Sequence, residues 1–271
     1  MPLAPLLSGA TITLRDRDAR LPDDDEHSKS DLRERLAGLT RKLDELQAAF
    51  HAEASRALLV VLQGRDTAGK DGAIRGVFGP LDPQGIVLTT FKVPTPDELA
   101  HDFLWRIHRA VPPRGTIGIF NRSHYEDVLV VRVDNLVPEP VWRARYEQIN
   151  QFERILAENG VTILKFLLHI SREEQRERLL ARLQDPGKYW KFDDGDLRKR
   201  EQWDAYTEAY EEAISRTSTP WAPWYLVPAD RKPVRDVLIA EVLVETLERM
   251  APRYPGAPAH LERYRGALAA G

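Results

Sequence analysis

The stretch Gly64-Arg65-Asp66-Thr67-Ala68-Gly69-Lys70-Asp71-Gly72 follows an apolar run and has the spacing of a phosphate-binding loop. In that pattern, G-x-x-x-x-G-K-[ST], backbone N–H groups and the lysine cradle phosphate, and the closing hydroxyl helps hold Mg²⁺. Here Gly64, Gly69 and Lys70 are in place, but Asp71 stands where the hydroxyl is expected and a second carboxylate, Asp66, lies inside the loop. Carboxylates beside phosphate are repelled unless a cation stands between. Asp66 is the better placed of the two to hold Mg²⁺, directly or through water. Asp71 falls on the first turn of the next helix, where a carboxylate is favourable for structural reasons alone. Arg65, Thr67, Ala68 and Gly72 complete the set of candidate phosphate contacts. A glycine-rich turn with a solvated lysine is the plainer alternative.

A second constellation is Asn121-Arg122-Ser123-His124-Tyr125-Glu126-Asp127, directly after the apolar run Thr116–Phe120. Core packing does not explain so many polar residues in seven positions, although a surface loop would. Asp127 could supply a second Mg²⁺ carboxylate, and Arg122 could grip phosphate with two N–H groups. His124 reads as structural, because phosphoryl transfer needs positioning more than a strong base. In a third group, Arg178 and Arg182 are four residues apart and share one helical face. They lead into Gln184–Asp196, where Lys188 and Lys191 lie among Tyr189, Trp190 and Phe192 after a Pro186-Gly187 break. That suggests a mobile lid over phosphates. The other reading is a solvated charged face, since Glu173, Glu174 and Glu177 share the helix. Lys92 and Arg106 could line an acceptor's path or lie in solvent. Asp230-Arg231-Lys232 could contact a base or cap a helix.

These groups need a scaffold that brings distant loops to one edge. Apolar runs at 57–63, 86–91, 116–120, 161–168 and 224–228 read as strands. Helices are expected near 139–159, 196–216 and 231–251, with capping boxes at Thr95–Glu98 and Ser171–Glu174. Strand–helix alternation predicts a mostly parallel sheet covered on both faces, with the site at the carboxyl ends of its strands. Leu32, Leu36, Leu39, Leu43 and Leu46 form one stripe of a further helix, which packs on its own core or serves as a short intersubunit seam. Residues 1 to about 30, with the acidic run Pro22–Glu26, read as a surface arm, partly disordered.

The 271 residues suffice for one large α/β domain with a lid, and the absence of cysteine excludes disulfides and thiolate chemistry. No run is apolar enough to span a bilayer, and the start does not read as a signal peptide, so a cytoplasmic protein is expected. A net charge of −3 gives no global field for nucleic acid or membranes. A polyanionic ligand would have to be met by local basic clusters.

With "GRDTAGKDG", "FKVPTPDELAHDFLWR", "FNRSHYEDVL" and "DPGKYWKF" in this order, the chain resembles the polyphosphate kinase 2 family from about residue 30 to 251. The resemblance implies a P-loop kinase-like three-layer sandwich, with a five-stranded parallel sheet covered by helices and a helical lid. It implies an arm over 1–30, a kinase domain over 31–256 with the lid near 184–196, and a tail over 257–271. The implied reaction moves the terminal phosphoryl of inorganic polyphosphate to AMP or ADP, reversibly, with Mg²⁺ (or Mn²⁺), giving ADP and ATP in a homo-oligomer. By position, Asp66 and Asp127 would hold the metal, Lys70 the transferred phosphate, and Arg122, Arg178 and Arg182 the phosphate chain, with Lys188 and Lys191 on the lid. The pair Glu126-Asp127 resembles class III of the family, which accepts both AMP and ADP, and marks Glu126 as shaping acceptor choice. An ATP-dependent nucleoside monophosphate kinase and a non-catalytic nucleotide-binding switch remain as alternatives.

Overall fold

The computed structural model describes residues 3–22 and 26–270, so Asp23–Asp25 of the acidic run lie outside the described residues. Five strands form one parallel sheet: β1 (Ala57–Gly64), β2 (Ile86–Thr90), β3 (Ile117–Asn121), β4 (Val161–His169) and β5 (Trp224–Pro228), in the order β2-β3-β1-β4-β5. Continuous apolar sequence makes β1 suited to the centre, and every one of its residues is buried. Its alternate side chains feed two cores, Leu58, Val60 and Leu62 on one face, and Leu59 and Val61 on the other. At the edge, β2 is largely exposed.

On the first face lie α1 (Lys29–Glu53), α2 (Lys70–Ala73, widening at once into a π-turn over Ile74–Phe78) and α10 (Lys232–Met250). Leu32 and Leu43 of the leucine stripe are buried in this core, with Leu36, Leu39 and Leu46 packed against it, so α1 belongs to its own domain. The opposite face is covered by α6 (Glu139–Glu158) and α9 (Trp203–Thr217). Shorter helices α3 (Pro96–Leu99), α4 (Trp105–Ala110) and α5 (Val130–Val133) fill the connections, and α11 (Leu261–Ala269) closes the chain without a buried residue. Among the described residues no helix is long and apolar enough to cross a membrane.

Three expectations change. The described part of the arm is fastened down: Leu6 N–H donates to the Trp224 carbonyl, Leu14 N–H to Glu211, and Asp230 N–H to the Ala19 carbonyl. The helix expected at 196–216 is two, α8 (Asp194–Glu201) and α9, with a break at Gln202. Thr95–Glu98 forms a full capping box, but at α7 (Arg172–Gln184) only half of one exists. Ser171 accepts from Glu174 N–H, while the Glu174 carboxylate is taken by Arg178, 2.7 Å away, and Ser171 N–H by Asp230.

Under the 3₁₀ turn His124–Asp127 the core holds charge. Lys165 Nζ donates to Glu153 Oε2 (2.6 Å), Tyr125 Oη (2.8 Å) and the Thr217 carbonyl (2.7 Å), all out of solvent. Glu153 Oε1 also accepts from Tyr125 and meets His124 Nε2. Burial pushes the Lys165 ammonium below its ordinary range against the pull of Glu153. Breaking one partner strands a buried charge, whereas replacing both does not. Lys165→Met is therefore expected to cost about 3–5 kcal/mol in urea unfolding, and Lys165→Met with Glu153→Leu to recover most of it; equal losses in the two variants would contradict a coupled pair.

Candidate active site

The loop leaving β1 is shaped by close approaches. A Cβ on Gly64 would lie 2.7 Å from the Leu168 carbonyl oxygen of β4, so only glycine fits there. Gly69, at φ +99°, starts α2 and directs its first N–H groups at the carboxyl edge of the sheet. Thr67 is β-branched yet left-handed at φ +67°, a conformation that needs outside support. Arg178 supplies it. Its guanidinium donates to the carbonyls of Thr67 (2.9 Å) and Ala68 (3.3 Å), and also to those of Ala229 and Asp230 (2.7 Å each) after β5. Lys70 Nζ reaches back to the Gly64 carbonyl at 2.6 Å. Burial, with the nearby Arg122 charge, lowers the Lys70 ammonium to about 8 despite Asp66 and Glu126.

Asp66 is gripped on both oxygens, Oδ1 by Arg122 and Oδ2 by Lys199 of α8, each at 3.0 Å. Burial alone would raise this carboxyl, but Lys70, Lys199 and Arg122 together hold it below its ordinary range. Asp66, Arg122 and Lys199 form a partition. On one side is a small pocket with Glu126, Gln175, Tyr206 and Tyr210. On the other is a cleft of about 780 Å³, walled by ten lysines and arginines against four aspartates. In a chain of net charge −3, that is a strong local concentration of positive charge.

Lys70, Lys92, Arg122, Arg182, Lys188 and Lys191 all line this cleft, with Asp71 and Asn121 at its floor. One wall of the cleft is a 3₁₀ turn, Pro186–Lys191, followed by α8 as far as Lys199. Arg182 Nη1 ties it down through the Lys191 carbonyl (2.9 Å) and Asp196 (3.1 Å). Glu126 lies 3.9 Å from Arg122, and Gln63, with its amide turned to suit its neighbours, donates to Glu126 Oε1.

Several expected residues are placed elsewhere. Asp127 lines neither space: its carboxylate accepts from Arg145 of α6 at 3.2 Å, and burial raises it despite that partner. Arg106 is buried, donating to the Lys92 carbonyl at 2.9 Å, so it supports the loop that carries Lys92 without facing the cleft. Arg65 turns from the cradle toward α9, stacking 3.8 Å from the Trp203 ring centre. Ala68 is fully buried. Asp230 braces the start of α7, accepting from Ser171 N–H and Oγ.

Comparison with known proteins agrees with this geometry. Residues 26–255 match the family profile described as polyphosphate kinase 2. The chain belongs to the polyphosphate kinase 2 family. It is 55% identical over 237 residues to the AMP/ADP-polyphosphate phosphotransferase of Meiothermus ruber, covering 86% of this chain and 89% of that protein. It is 45% identical over 240 residues to the ADP-polyphosphate phosphotransferase of Rhodopseudomonas palustris, covering 84% and 83%. The crystal structure of polyphosphate kinase 2 from Arthrobacter aurescens TC1 superposes with a TM-score of 0.90 at 39% identity, over 100% of this chain and 99% of that one.

Within this family member, sequence reasoning overlooked Lys199 and Arg198, which line the cleft. They lie in the run Leu197-Arg198-Lys199-Arg200-Glu201, a cationic cluster just beyond the aromatic stretch Tyr189–Phe192. Their position after the Pro-Gly break was the available signal. The state of Lys70 has a measurable consequence. If it neutralises bound phosphate, kcat/KM should fall as pH rises through about 8, where the free enzyme's Lys70 gives up its proton. Its linkage to folding runs the other way: above that pH the unfolded chain binds the extra proton, so this residue's contribution to stability rises toward the ordinary lysine pKa. A kcat/KM profile flat from about pH 7 to about pH 9 contradicts the assignment.

Proposed function

We propose that this chain transfers the terminal phosphoryl of inorganic polyphosphate to AMP and to ADP, reversibly, producing ADP and ATP. The observation that carries the reading is the cationic cleft lying against the P-loop: its wall offers far more positive charge than a single terminal phosphate requires. A polyphosphate chain supplies a negative charge at every residue along such a wall. The names borne by the Meiothermus ruber and Rhodopseudomonas palustris relatives point to the same donor and to these acceptors. For an ATP-dependent monophosphate kinase, so long a basic wall beyond the P-loop would be superfluous.

Moving a phosphoryl between phosphoanhydrides lies near energetic balance, and the acceptor is already an anionic oxygen, so no strong base is needed. The barrier falls when donor and acceptor are held in line and their oxygens are neutralised. Lys70 and the N–H groups from Gly69 to Gly72 would bear on the transferred group. Arg122 and Arg182 would align the chain, with Lys188, Lys191 and Lys199 closing over it. Glu126, placed in the small pocket beside Arg122, is suited to sense whether an acceptor brings one phosphate or two.

Among the described residues no three acidic or histidine side chains converge on a metal position. Mg²⁺ is commonly held by one or two carboxylates and the substrate's own phosphates. Asp66 and Asp71 are the carboxylates facing the cleft by the P-loop, and Asp71 Oδ1 is oriented by Asn121 Nδ2 at 2.8 Å. Bound there, Mg²⁺ or Mn²⁺ would neutralise phosphate oxygens. Asp66 would take part with lone pairs left over beside Arg122 and Lys199, each of which contacts one of its oxygens.

The deciding assay supplies Mg²⁺, AMP and polyphosphate without ATP; absence of both ADP and ATP as products sinks the proposal. Asp66→Asn and Lys70→Ala should each lower kcat by about 10²-fold or more with little change in melting temperature. Glu126→Asn should alter AMP turnover more than ADP turnover, and equal losses would remove its role in acceptor choice.

A further inference from the structure

The helix that carries Lys70 is bare on one side. Gly69, Gly72 and Gly76 are spaced by three and four, so they share a face. Against that face lies an ion pair from α10. Arg235 Nε donates to Asp236 Oδ1 at 2.8 Å, and Arg235 Nη2 lies 2.7 Å from the same oxygen. A Cβ on Gly69 would come within 2.0 Å of Arg235 Nη1, one on Gly72 within 3.1 Å of Nη2, and one on Gly76 within 3.0 Å of Asp236 Oδ2. The glycines admit the pair.

Three features show that this is more than packing. Neighbouring residues of a helix do not ordinarily face each other, so Arg235 and Asp236 must bend together toward the glycine face to meet. Arg235 is only 2% exposed, and its Nη1, the atom turned to Gly69, has no hydrogen-bond acceptor among the described residues. Burying an incompletely satisfied guanidinium is unfavourable, and an apolar pair of similar size would serve stability as well or better. The pair is also oriented. Its guanidinium lies under Gly69 and Gly72, where the cradle's N–H groups begin, and its carboxylate under Gly76, one turn farther on. That direction matches the dipole of α2, whose regular α portion is only four residues long. The oriented ion pair extends a short dipole.

We propose that Arg235, held by Asp236, is a positioning residue of the phosphate cradle. It fixes the Gly69–Lys70 backbone and presents the positive end of a buried ion pair toward bound phosphate from behind the loop. It touches no substrate and acts through the peptide units of Gly69 to Gly72. The inference deepens the reading of the cleft as a polyphosphate site and rests on it.

The test measures tripolyphosphate binding to the full chain by calorimetry, beside melting temperature and kinetics. Arg235→Met with Asp236→Leu removes the ion pair while keeping apolar volume, so the fold should hold. Its affinity for tripolyphosphate should fall about tenfold, in line with a loss typical of a charged hydrogen-bonding group. Arg235→Lys should recover part of that loss by restoring the charge. Should the double variant not fold, Gly76→Ala carries the same expectation, because its new methyl meets only the far end of the Asp236 side chain. Unchanged affinity in a folded variant overturns the positioning role. Failure of the wild-type chain itself to bind tripolyphosphate would instead overturn the reading of the cleft.

Discussion

The guanidinium of Arg178 joins three parts of the chain that have no backbone hydrogen bonds to one another. From α7 it donates to two carbonyls of the P-loop and two of the loop after β5, and it is itself oriented by Glu174. The left-handed Thr67 can persist because the surrounding structure over-determines it, and this arginine provides much of that constraint. Lys70, the α2 N-terminus and Asp66 take their positions from the same loop. A planar, permanently charged donor with several N–H groups suits the task in a way a lysine could not.

The site has to be strongly positive before a polyanion arrives, and each cation must remain in place without one. The chain meets part of this requirement by giving several of the cations a provisional partner. Asp66 takes Arg122 and Lys199, Asp196 takes Arg182, Asp185 takes Lys188, and backbone carbonyls take Lys70. Such contacts are weak enough at a partly hydrated wall for phosphate to displace them. The two carboxylates that look anomalous in a phosphate loop thereby have distinct surroundings: Asp66 is clamped between cations, and Asp71 is exposed at the cleft floor beside Asn121.

Elements whose cause is local were legible in sequence. The five strands, the leucine stripe of α1 and the Thr95 capping box follow from periodicity, burial of continuous apolar runs and short-range capping chemistry. The P-loop was legible too, because the glycine and lysine spacing of G-x-x-x-x-G-K falls within seven residues, although its left-handed Thr67 rests on Arg178 from far along the chain. What was misjudged depends on partners far along the chain. Glu174 could not complete its box because Arg178 and Asp230 claimed the groups involved. Nor did local sequence indicate Arg145 as the partner of Asp127: one residue's step around a 3₁₀ turn sends Glu126 to the pocket and Asp127 toward Arg145.

The sequence by itself determined the parallel sheet, the phosphate loop at its carboxyl edge and the family to which these motifs point. Only the tertiary structure decided which cations face the cleft and which, like Arg65 and Arg106, are turned to the protein's own rings and carbonyls. It also decided what the glycines after Lys70 are for. Residue type and spacing fix local backbone geometry, but a side chain's role is set by whichever groups folding brings within hydrogen-bond reach. For Arg235 that group is an aspartate on its own helix, and the face it packs on belongs to Gly69 and Gly72, more than 150 positions earlier.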